Sequence, residues 1–227
     1  MLFCSKLIRL ADNTVTPDSF SNRMRTKRFE LFAGFASGIP RPLRILDVGG
    51  ENSFWEMRGW ANLDDVHLTI LNIYEQQKRN VNITPIIGDA TNLNQYADGS
   101  FDIVFSNSVM EHLFTLENQA CMALEIRRVG KAYWVQTPNF WFPMEPHFLV
   151  PGWQWMPLNA RVALLRRWKC GWRGPCSNRA RALKLVKEIR LLTVKELRQL
   201  FPTAKIIPEQ FGGLVKSWIA IEGFPSR

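Results

Sequence analysis

The chain has no long hydrophobic run. No stretch of its 227 residues approaches the roughly 20 consecutive apolar residues that a membrane-spanning helix requires, so the sequence predicts a soluble protein. The apolar start is interrupted by Lys6 and lacks a small-residue cleavage site, which argues against a secretory signal peptide. We therefore expect a cytoplasmic location.

Cysteine is also scarce, and the four cysteines form no C-x-x-C motif. The spacing between Cys170 and Cys176 fits neither a zinc site nor a redox motif. We expect reduced thiols, Cys4 and Cys121 included, and we predict no metal site. Internal repeats and low-complexity segments are absent from the sequence. The length fits a single domain at 1–227 with an insertion.

Strand-like and helix-like segments alternate through much of the chain. Runs of strand-forming residues stand at 43–48, 66–71, 83–87, 101–106 and 131–136. Such alternation predicts right-handed crossovers and a parallel, doubly wound sheet of the α/β class. Ligands of such sheets bind beyond the carboxyl ends of the strands.

Helix signals surround these strands. Apolar periodicity indicates an N-terminal helix at about 18–36. A short helix is expected at 53–60, and residues 73–78 are expected to begin the next helix. Thr115 begins a helix over 115–129. A capping box from Thr193 to Glu196 begins another, and residues 204–222 can form a closing antiparallel hairpin.

The strand ends carry glycine or polar residues in a recognisable order. They are Asp47-Val-Gly-Gly50, Asn72, Gly88-Asp89-Ala90 and the segment from Ser106 to His112. This series resembles the class I S-adenosylmethionine-dependent methyltransferases, especially the small-molecule branch. The resemblance implies a Rossmann-like, seven-stranded sheet, mostly parallel with a C-terminal antiparallel hairpin. It also implies S-adenosylmethionine as the cofactor.

The resemblance assigns the methionine end of the cofactor to the first and fourth strand ends. Asp47, Gly49 and Gly50 would cradle it, because glycine lets the backbone turn sharply and approach a ligand closely. Asn107 would line the pocket beside the methionine moiety. His112 would lie one turn further, near the transferring methyl group.

The resemblance assigns the adenosine end of the cofactor to the second and third strand ends. Asp89 would accept a hydrogen bond from the adenine amino group, and the Ala90 backbone N–H would donate to a ring nitrogen. Asn72 stands where the family usually has an acid that binds the ribose hydroxyls. Glu51 and Ser53 stand where the family's turn usually has glycines, so the contact that Glu51 makes is open.

Histidines are the candidates for removing a proton from an acceptor hydroxyl, since an ordinary histidine pKa lies near neutrality. His67 opens the second strand, away from the expected site, and reads as structural. We name His147 and His112 as the candidate bases or substrate ligands, with Glu145 orienting His147. Each could instead serve a structural hydrogen bond.

The stretch at about 140–190 lies outside the resemblance and is predicted to be an insertion or lid. It is rich in tryptophan, and residues 161–190 hold ten lysines and arginines against one acid. Such a patch attracts anions, whether nucleic acid, an acidic metabolite or a membrane surface. A solvated helical face explains it equally well.

The sequence therefore predicts a methyltransferase that acts on a small or lipid-like acceptor, with oxygen favoured because of the histidines. One alternative is an RNA methyltransferase that uses residues 161–190. Another is a non-catalytic binding module that kept the fold. An NAD(P)-binding domain is disfavoured, because the first glycine turn lacks G-x-G-x-x-G. The acceptor and the oligomeric state are left open.

Overall fold

The structure is a computed structural model and describes residues 20–225. The expectations for Lys6 and Cys4 lie outside the described residues. The strands are β1 Leu43–Val48, β2 Val66–Asn72, β3 Ile83–Ile87, β4 Phe101–Asn107, β5 Gly130–Pro138, β6 Lys205–Phe211 and β7 Leu214–Glu222. The α-helices are α1 Phe20–Ala36, α2 Asn52–Met57, α3 Leu116–Val129, α4 Leu158–Arg167, α5 Arg179–Lys187 and α6 Val194–Leu200. Short 3-10 helices cover Met110–His112 and Trp153–Trp155.

These strands form one seven-stranded sheet in the order β3-β2-β1-β4-β5-β7-β6. The first five strands run parallel, and β7 pairs antiparallel with both β5 and β6. The predicted Rossmann-like fold with a closing hairpin is therefore confirmed. The strand order reverses at β1, so the carboxyl ends of β1 and β4 lie side by side, where such sheets bind ligands.

Helices cover both faces of the sheet. Successive residues of a strand point to opposite sides, so one strand contributes to the core on each face. Ile45 packs with α1 and α2 in an aromatic cluster that includes Phe32 and Trp55, both fully buried. Leu46 packs on the other face with α3 and α6. Each fully buried side chain of this size contributes roughly 1.5 to 3 kcal/mol to folding. The central strands are thereby held rigidly.

The expected helix starts are confirmed at two places. Thr115 accepts a hydrogen bond from the Asn118 backbone N–H and begins α3. Thr193 and Glu196 form both hydrogen bonds of the capping box that begins α6. Local side-chain chemistry therefore places the helices that cover β4 and β5.

The expected helix at 73–78 is wrong. After β2 the chain continues without a helix or strand until β3. Ile73 and Val81 are 82% and 88% exposed, so a helix here would have no apolar face to bury. Instead, Gln76 folds back and donates to the Gly50 carbonyl oxygen at 2.8 Å. The segment supports the first glycine turn.

Residues 140–190 contain α4 and α5 and have their own small core. Phe148 stacks on Trp153 with ring centroids 4.2 Å apart, and both side chains are buried. Cys170 and Cys176 are buried in this core, and Cys121 is an exposed free thiol. Within the described residues, every helix is too short or too polar to cross a membrane.

Candidate active site

The glycine turn after β1 is as tight as its sequence suggested. Gly49 has a φ of +77°, and a Cβ placed there would lie 2.5 Å from Val109 Cγ2. A Cβ on Gly50 would lie 1.7 Å from Asp47 Oδ2. Neither position accepts a side chain without movement of its neighbours. The turn therefore brings bare backbone to the carboxyl end of the sheet.

Asp47 lies beneath this turn and is fully buried. Its Oδ2 accepts a hydrogen bond from Trp55 Nε1 at 2.7 Å, which ties the end of β1 to α2. Burial raises the pKa of Asp47 to about 7, against the opposing effect of the Trp55 hydrogen bond. Asp47 thus supports the turn from inside.

Asn72 also serves the turn. Its Nδ2 donates to the Gly50 carbonyl oxygen at 3.0 Å, and its Oδ1 accepts from the Ile73 backbone N–H at 2.8 Å. An acid could not donate to a carbonyl oxygen, so the amide has a specific role here. Asn72 meets Gln76 at the same oxygen.

Glu51 and Ser53 lie on the outer rim of the turn. Glu51 Oε1 accepts from the Tyr74 hydroxyl at 2.9 Å, and Ser53 donates to Glu51 Oε2 at 3.4 Å. At the end of β3, Asp89 Oδ1 accepts from both the backbone and the hydroxyl of Thr91. The Asp89 side chain is exposed. The carboxylates of Glu51 and Asp89 thus both lie at the surface.

Asn107 ends β4 within a polar network that links α1 to the sheet. Arg28 donates to Asn107 Oδ1 at 2.6 Å and to Gln136 Oε1 at 2.8 Å. The same guanidinium pairs with Glu209 on β6 at 2.7 Å. Arg28 is buried. Sequence reasoning missed it, since no local motif marks a buried arginine.

The chain leaves β4 through Val109 and enters the 3-10 helix Met110–His112. Val109 touches the glycine turn, so Glu111 and His112 follow directly from the wall of that turn. The Glu111 side chain is fully buried, and its Oε2 accepts from Thr137 Oγ1 at 3.3 Å. Sequence reasoning also missed Glu111, whose only signal was its place beside His112.

His147 arrives from the insertion and meets His112. Their Nε2 atoms lie 3.2 Å apart. His147 Nδ1 donates to Glu145 Oε1 at 2.6 Å, and the buried Glu145 carboxylate also accepts from the backbone N–H groups of His147 and Phe148. The predicted orientation of His147 by Glu145 is thus present in the geometry.

The three titratable groups at this point have displaced pKa values. Burial, followed by the nearby charge of His147, lowers the pKa of His112 to about 4. Burial also lowers the pKa of His147, but the hydrogen bond and charge of Glu145 outweigh it and leave that pKa raised. Burial raises the pKa of Glu111 to about 7. Clustered groups with displaced pKa values are typical of functional sites.

The structure thus brings His112, His147 and Glu145 together, and it connects them to the glycine turn through Val109. Asn72 and Asp47 converge on that turn, while Asp89 and Ala90 follow β3 nearer the sheet edge. His67 opens β2 and is exposed.

Comparison with known proteins finds similarity to methyltransferases. The methyltransferase domain family matches residues 62–132. Two uncharacterized proteins of Mycobacterium tuberculosis, from strains CDC 1551 and H37Rv, are 37% identical over 62 residues, which is 27% of this chain and 21% of each relative. The chain thus spans about a fifth of the length of these relatives.

Solved structures share the fold across nearly the whole chain. The N-terminal domain of EvdMO1, determined with S-adenosylhomocysteine and D-fucose, has a TM-score of 0.53 at 12% identity and covers 97% of both chains. The CurJ carbon methyltransferase has a TM-score of 0.57 at 12% identity, over 96% of this chain and 57% of that one. A methyltransferase from Aquifex aeolicus has a TM-score of 0.50 at 12% identity, over 96% of both.

The family match covers β2, β3, β4 and the first residues of β5, and the solved structures extend the similarity of fold to nearly the whole chain. The resemblance expected from the strand ends is confirmed. The chain thus has the fold of S-adenosylmethionine-dependent methyltransferases, and residues 62–132 match the methyltransferase domain family.

Proposed function

We propose that the chain transfers a methyl group from S-adenosylmethionine to a hydroxyl oxygen of a small-molecule acceptor. One observation carries this proposal. The glycine turn contacts Val109, and the residues immediately after Val109 lead to the pair of His112 and His147. A backbone cradle for the cofactor and side chains able to hold a proton are therefore adjacent.

The turn fits the methionine end of the cofactor, because Gly49 and Gly50 present backbone without side chains, and a Cβ at either position would clash with Val109 or Asp47. Asp47 and Asn72 hold that cradle from below and beside it. Asp89 and Ala90 would receive the adenine, and Asn107 would stand near the methionine moiety while held by Arg28. The bound cofactor supplies an electrophilic methyl group on a sulfonium.

The histidine pair would prepare the acceptor. His147 Nδ1 carries a hydrogen and donates it in the hydrogen bond to Glu145. Nε2 is therefore the basic atom of the ring. Nε2 would take the hydroxyl proton as the oxygen–methyl bond forms and the sulfur–methyl bond breaks. Glu145 would stabilise the imidazolium, and the partly buried setting limits competing water.

Glu145, which bonds His147, also lines a cavity that would receive a small acceptor, although neither histidine is among the residues that line it. Its volume is about 310 Å³, at the lower end of the size of small-molecule sites. Glu145, Phe140 and Trp153 line it together with Arg161. Arg161 Nε is buried and has no hydrogen-bond partner among the described residues. An acceptor with an aromatic or apolar body would pack against Phe140 and Trp153, and an acidic group on it would pair with Arg161.

The cofactor step is tested by calorimetric titration of the purified chain with S-adenosylmethionine and S-adenosylhomocysteine. We expect one binding site per chain. Asp89→Ala should weaken binding by removing an adenine contact, and Asp98→Ala, an exposed acid on the turn before β4, is its matched control. Absence of binding heat for the wild-type chain would overturn the proposed function.

The proton step is tested with a panel of hydroxylated acids and labelled methyl donor. His147→Gln and Glu145→Gln should lower turnover by about 100-fold or more while the affinity for the cofactor is kept. His67→Gln removes an exposed histidine at the opposite end of the sheet and should act as wild type. Equal turnover in His147→Gln would contradict the role given to the pair.

A second candidate is methylation of RNA, which the exposed basic residues of the insertion favour. Arg166, Arg167 and Lys169 are exposed beside Trp168, which is 57% exposed. RNA binding at this surface should weaken steeply with salt and be lost when the three cations are replaced by glutamine. RNA binding that changes neither with salt nor with these substitutions would reject RNA methylation at this surface and favour the small-molecule acceptor.

A further inference from the structure

Three potential metal ligands converge where β4 and the insertion meet. Glu111, His112 and His147 each offer one ligand atom, and these atoms lie within 4.8 Å of one another. The Nε2 atoms of the histidines are 3.2 Å apart. Two nitrogen ligands bound to one ion at about 2.1 Å are separated by roughly 3 to 3.5 Å, whether the geometry is octahedral or tetrahedral.

Glu111 provides an independent sign that a ligand belongs here. Its side chain is fully buried, yet Oε1 has no hydrogen-bond partner among the described residues. A buried carboxylate oxygen without a partner is costly, and buried charges are normally paired or bind a metal. Thr137 satisfies only the other oxygen, at 3.3 Å.

Glu145 supplies the outer support that metal-binding histidines usually have. It accepts from His147 Nδ1 at 2.6 Å, which leaves Nε2 free to act as a ligand. Backbone N–H groups of His147 and Phe148 hold the same carboxylate. The ring orientation is therefore set before any ion arrives.

We propose that Glu111, His112 and His147 bind one divalent first-row cation, of the zinc or manganese type, and that this cation activates the acceptor hydroxyl. Imidazole and carboxylate together suit such ions. Catalytic zinc sites commonly use three protein ligands and keep a further position open for water or substrate. This proposal departs from the expectation, made from cysteine spacing, that the chain has no metal site.

The surrounding charges allow a cation. Glu111 and Glu145 bring two carboxyl groups to the site. Arg173 lies near enough to lower the pKa of both histidines, but its guanidinium is paired with Glu188. The Arg190 backbone N–H donates to the Glu111 carbonyl oxygen at 2.8 Å, which fixes the Glu111 main chain.

The role of the cation rests on the proposed function. A hydroxyl oxygen in the open position would lose its proton to solvent more readily, because a bound cation lowers the pKa of such a group. That oxygen would then form the bond to the methyl carbon as the sulfur–methyl bond breaks. With the ion bound, His147 Nε2 would be a metal ligand instead of the general base described under the proposed function, and the hydroxyl proton would leave to solvent.

Metal binding is tested without activity. Chelator-treated chain is titrated with Zn²⁺ by calorimetry, and Co²⁺ is used as an absorption probe of nitrogen and oxygen coordination. We expect one ion per chain. Glu111→Gln, His112→Ala and His147→Ala should each abolish that stoichiometric site, and Glu145→Gln should weaken it by about 10- to 100-fold.

Controls separate this site from other ligands. His67→Ala removes an exposed histidine, and Cys121→Ser removes an exposed thiol that could bind Zn²⁺. Both should keep one ion per chain. Glu111→Gln keeps the size of the buried side chain, so its fold is checked by circular dichroism and by cofactor binding.

Failure of the two proposals gives different results. If the wild-type chain binds S-adenosylmethionine but no Zn²⁺ or Co²⁺, or if the ion remains in all three ligand variants, the metal site is overturned and the methyltransferase stands. If the ion binds and S-adenosylmethionine does not, the proposed function falls and the site stands. Methylation that continues at full rate with a chelator would overturn the activating role.

Discussion

Gly50 lies directly over the carboxylate of Asp47, so close that a Cβ on Gly50 would stand 1.7 Å from Asp47 Oδ2. Gly50→Ala must therefore displace either the turn or Trp55, which holds that oxygen. We expect a loss of about 1 to 3 kcal/mol in the free energy of unfolding, the usual cost of overpacking. The affinity for S-adenosylmethionine should fall at least about tenfold by calorimetry, because the turn shapes the cradle.

Gly38→Ala is the matched control for this substitution. The nearest atom to a Cβ on Gly38 is Pro225 Cγ at 3.4 Å, which is an ordinary contact. Its unfolding midpoint and cofactor affinity should stay near those of the wild-type chain. Equal effects of the two substitutions would mean that the crowding at Gly50 is not what holds the turn.

The pKa of Asp47, raised by burial to about 7, predicts how stability varies with pH. The ordinary value of an aspartate is 3.8, so between these values the folded chain keeps a proton that the unfolded chain has lost. The contribution of Asp47 is therefore complete below about pH 4 and is lost as the pH rises towards 7, by up to about 1.4 kcal/mol per pH unit.

Asp47→Asn should remove this dependence, since an amide oxygen can still accept from Trp55 Nε1 and carries no charge. Urea unfolding at pH 5 and pH 8 measures the difference. We expect the variant to lose less stability than the wild-type chain over that interval. Parallel pH profiles would show that Asp47 does not titrate in the folded chain within this range.

The fold was predictable because its signals are local. Apolar strand runs, the Thr115 cap and the Thr193 capping box each depend on neighbouring residues, and all three appear as expected. The segment after β2 was not predictable in the same way. Gln76 there makes a long-range hydrogen bond to Gly50, and no periodicity in the sequence records such a contact.

Arg28 and Glu209 illustrate a second long-range relationship, between α1 and β6. Their side chains are 8% and 10% exposed, and the pair also fixes Asn107 and Gln136. Arg28→Met should lower the free energy of unfolding by about 3 to 5 kcal/mol, because it leaves a buried carboxylate unpaired. The double variant with Glu209→Gln should recover part of that loss in urea unfolding.

Arg41→Met is the control for this pair. Arg41 bonds Asp65 at 3.2 Å, but the side chains are 35% and 55% exposed. An exposed pair contributes about 0 to 1 kcal/mol, so this variant should unfold almost as the wild-type chain does. A cost for Arg28→Met as small as that of Arg41→Met would contradict the structural role of the buried pair.

The candidate site was predictable only in part. His112, His147 and Glu145 stood out by residue type near strand ends, and the structure joins them. Glu111 did not stand out, because its importance comes from burial without a hydrogen-bond partner, which is a property of the folded chain. His112 and His147 are 35 positions apart in the sequence, and tertiary packing brings them together.

The stacking of Phe148 on Trp153 connects the core of the insertion to the site, because Phe148 follows His147 directly. Trp153→Ala should cost about 3 to 5 kcal/mol of local packing. Hydrogen exchange should therefore rise in residues 140–190 while the central strands remain protected. Turnover should fall as His147 loses its position, and cofactor affinity should change less than about twofold, since the glycine turn lies outside this core.

Trp168→Ala, at a side chain 57% exposed, should change neither exchange nor turnover. If Trp153→Ala lowered cofactor affinity as much as turnover, the insertion would be part of the cofactor site rather than a support for His147.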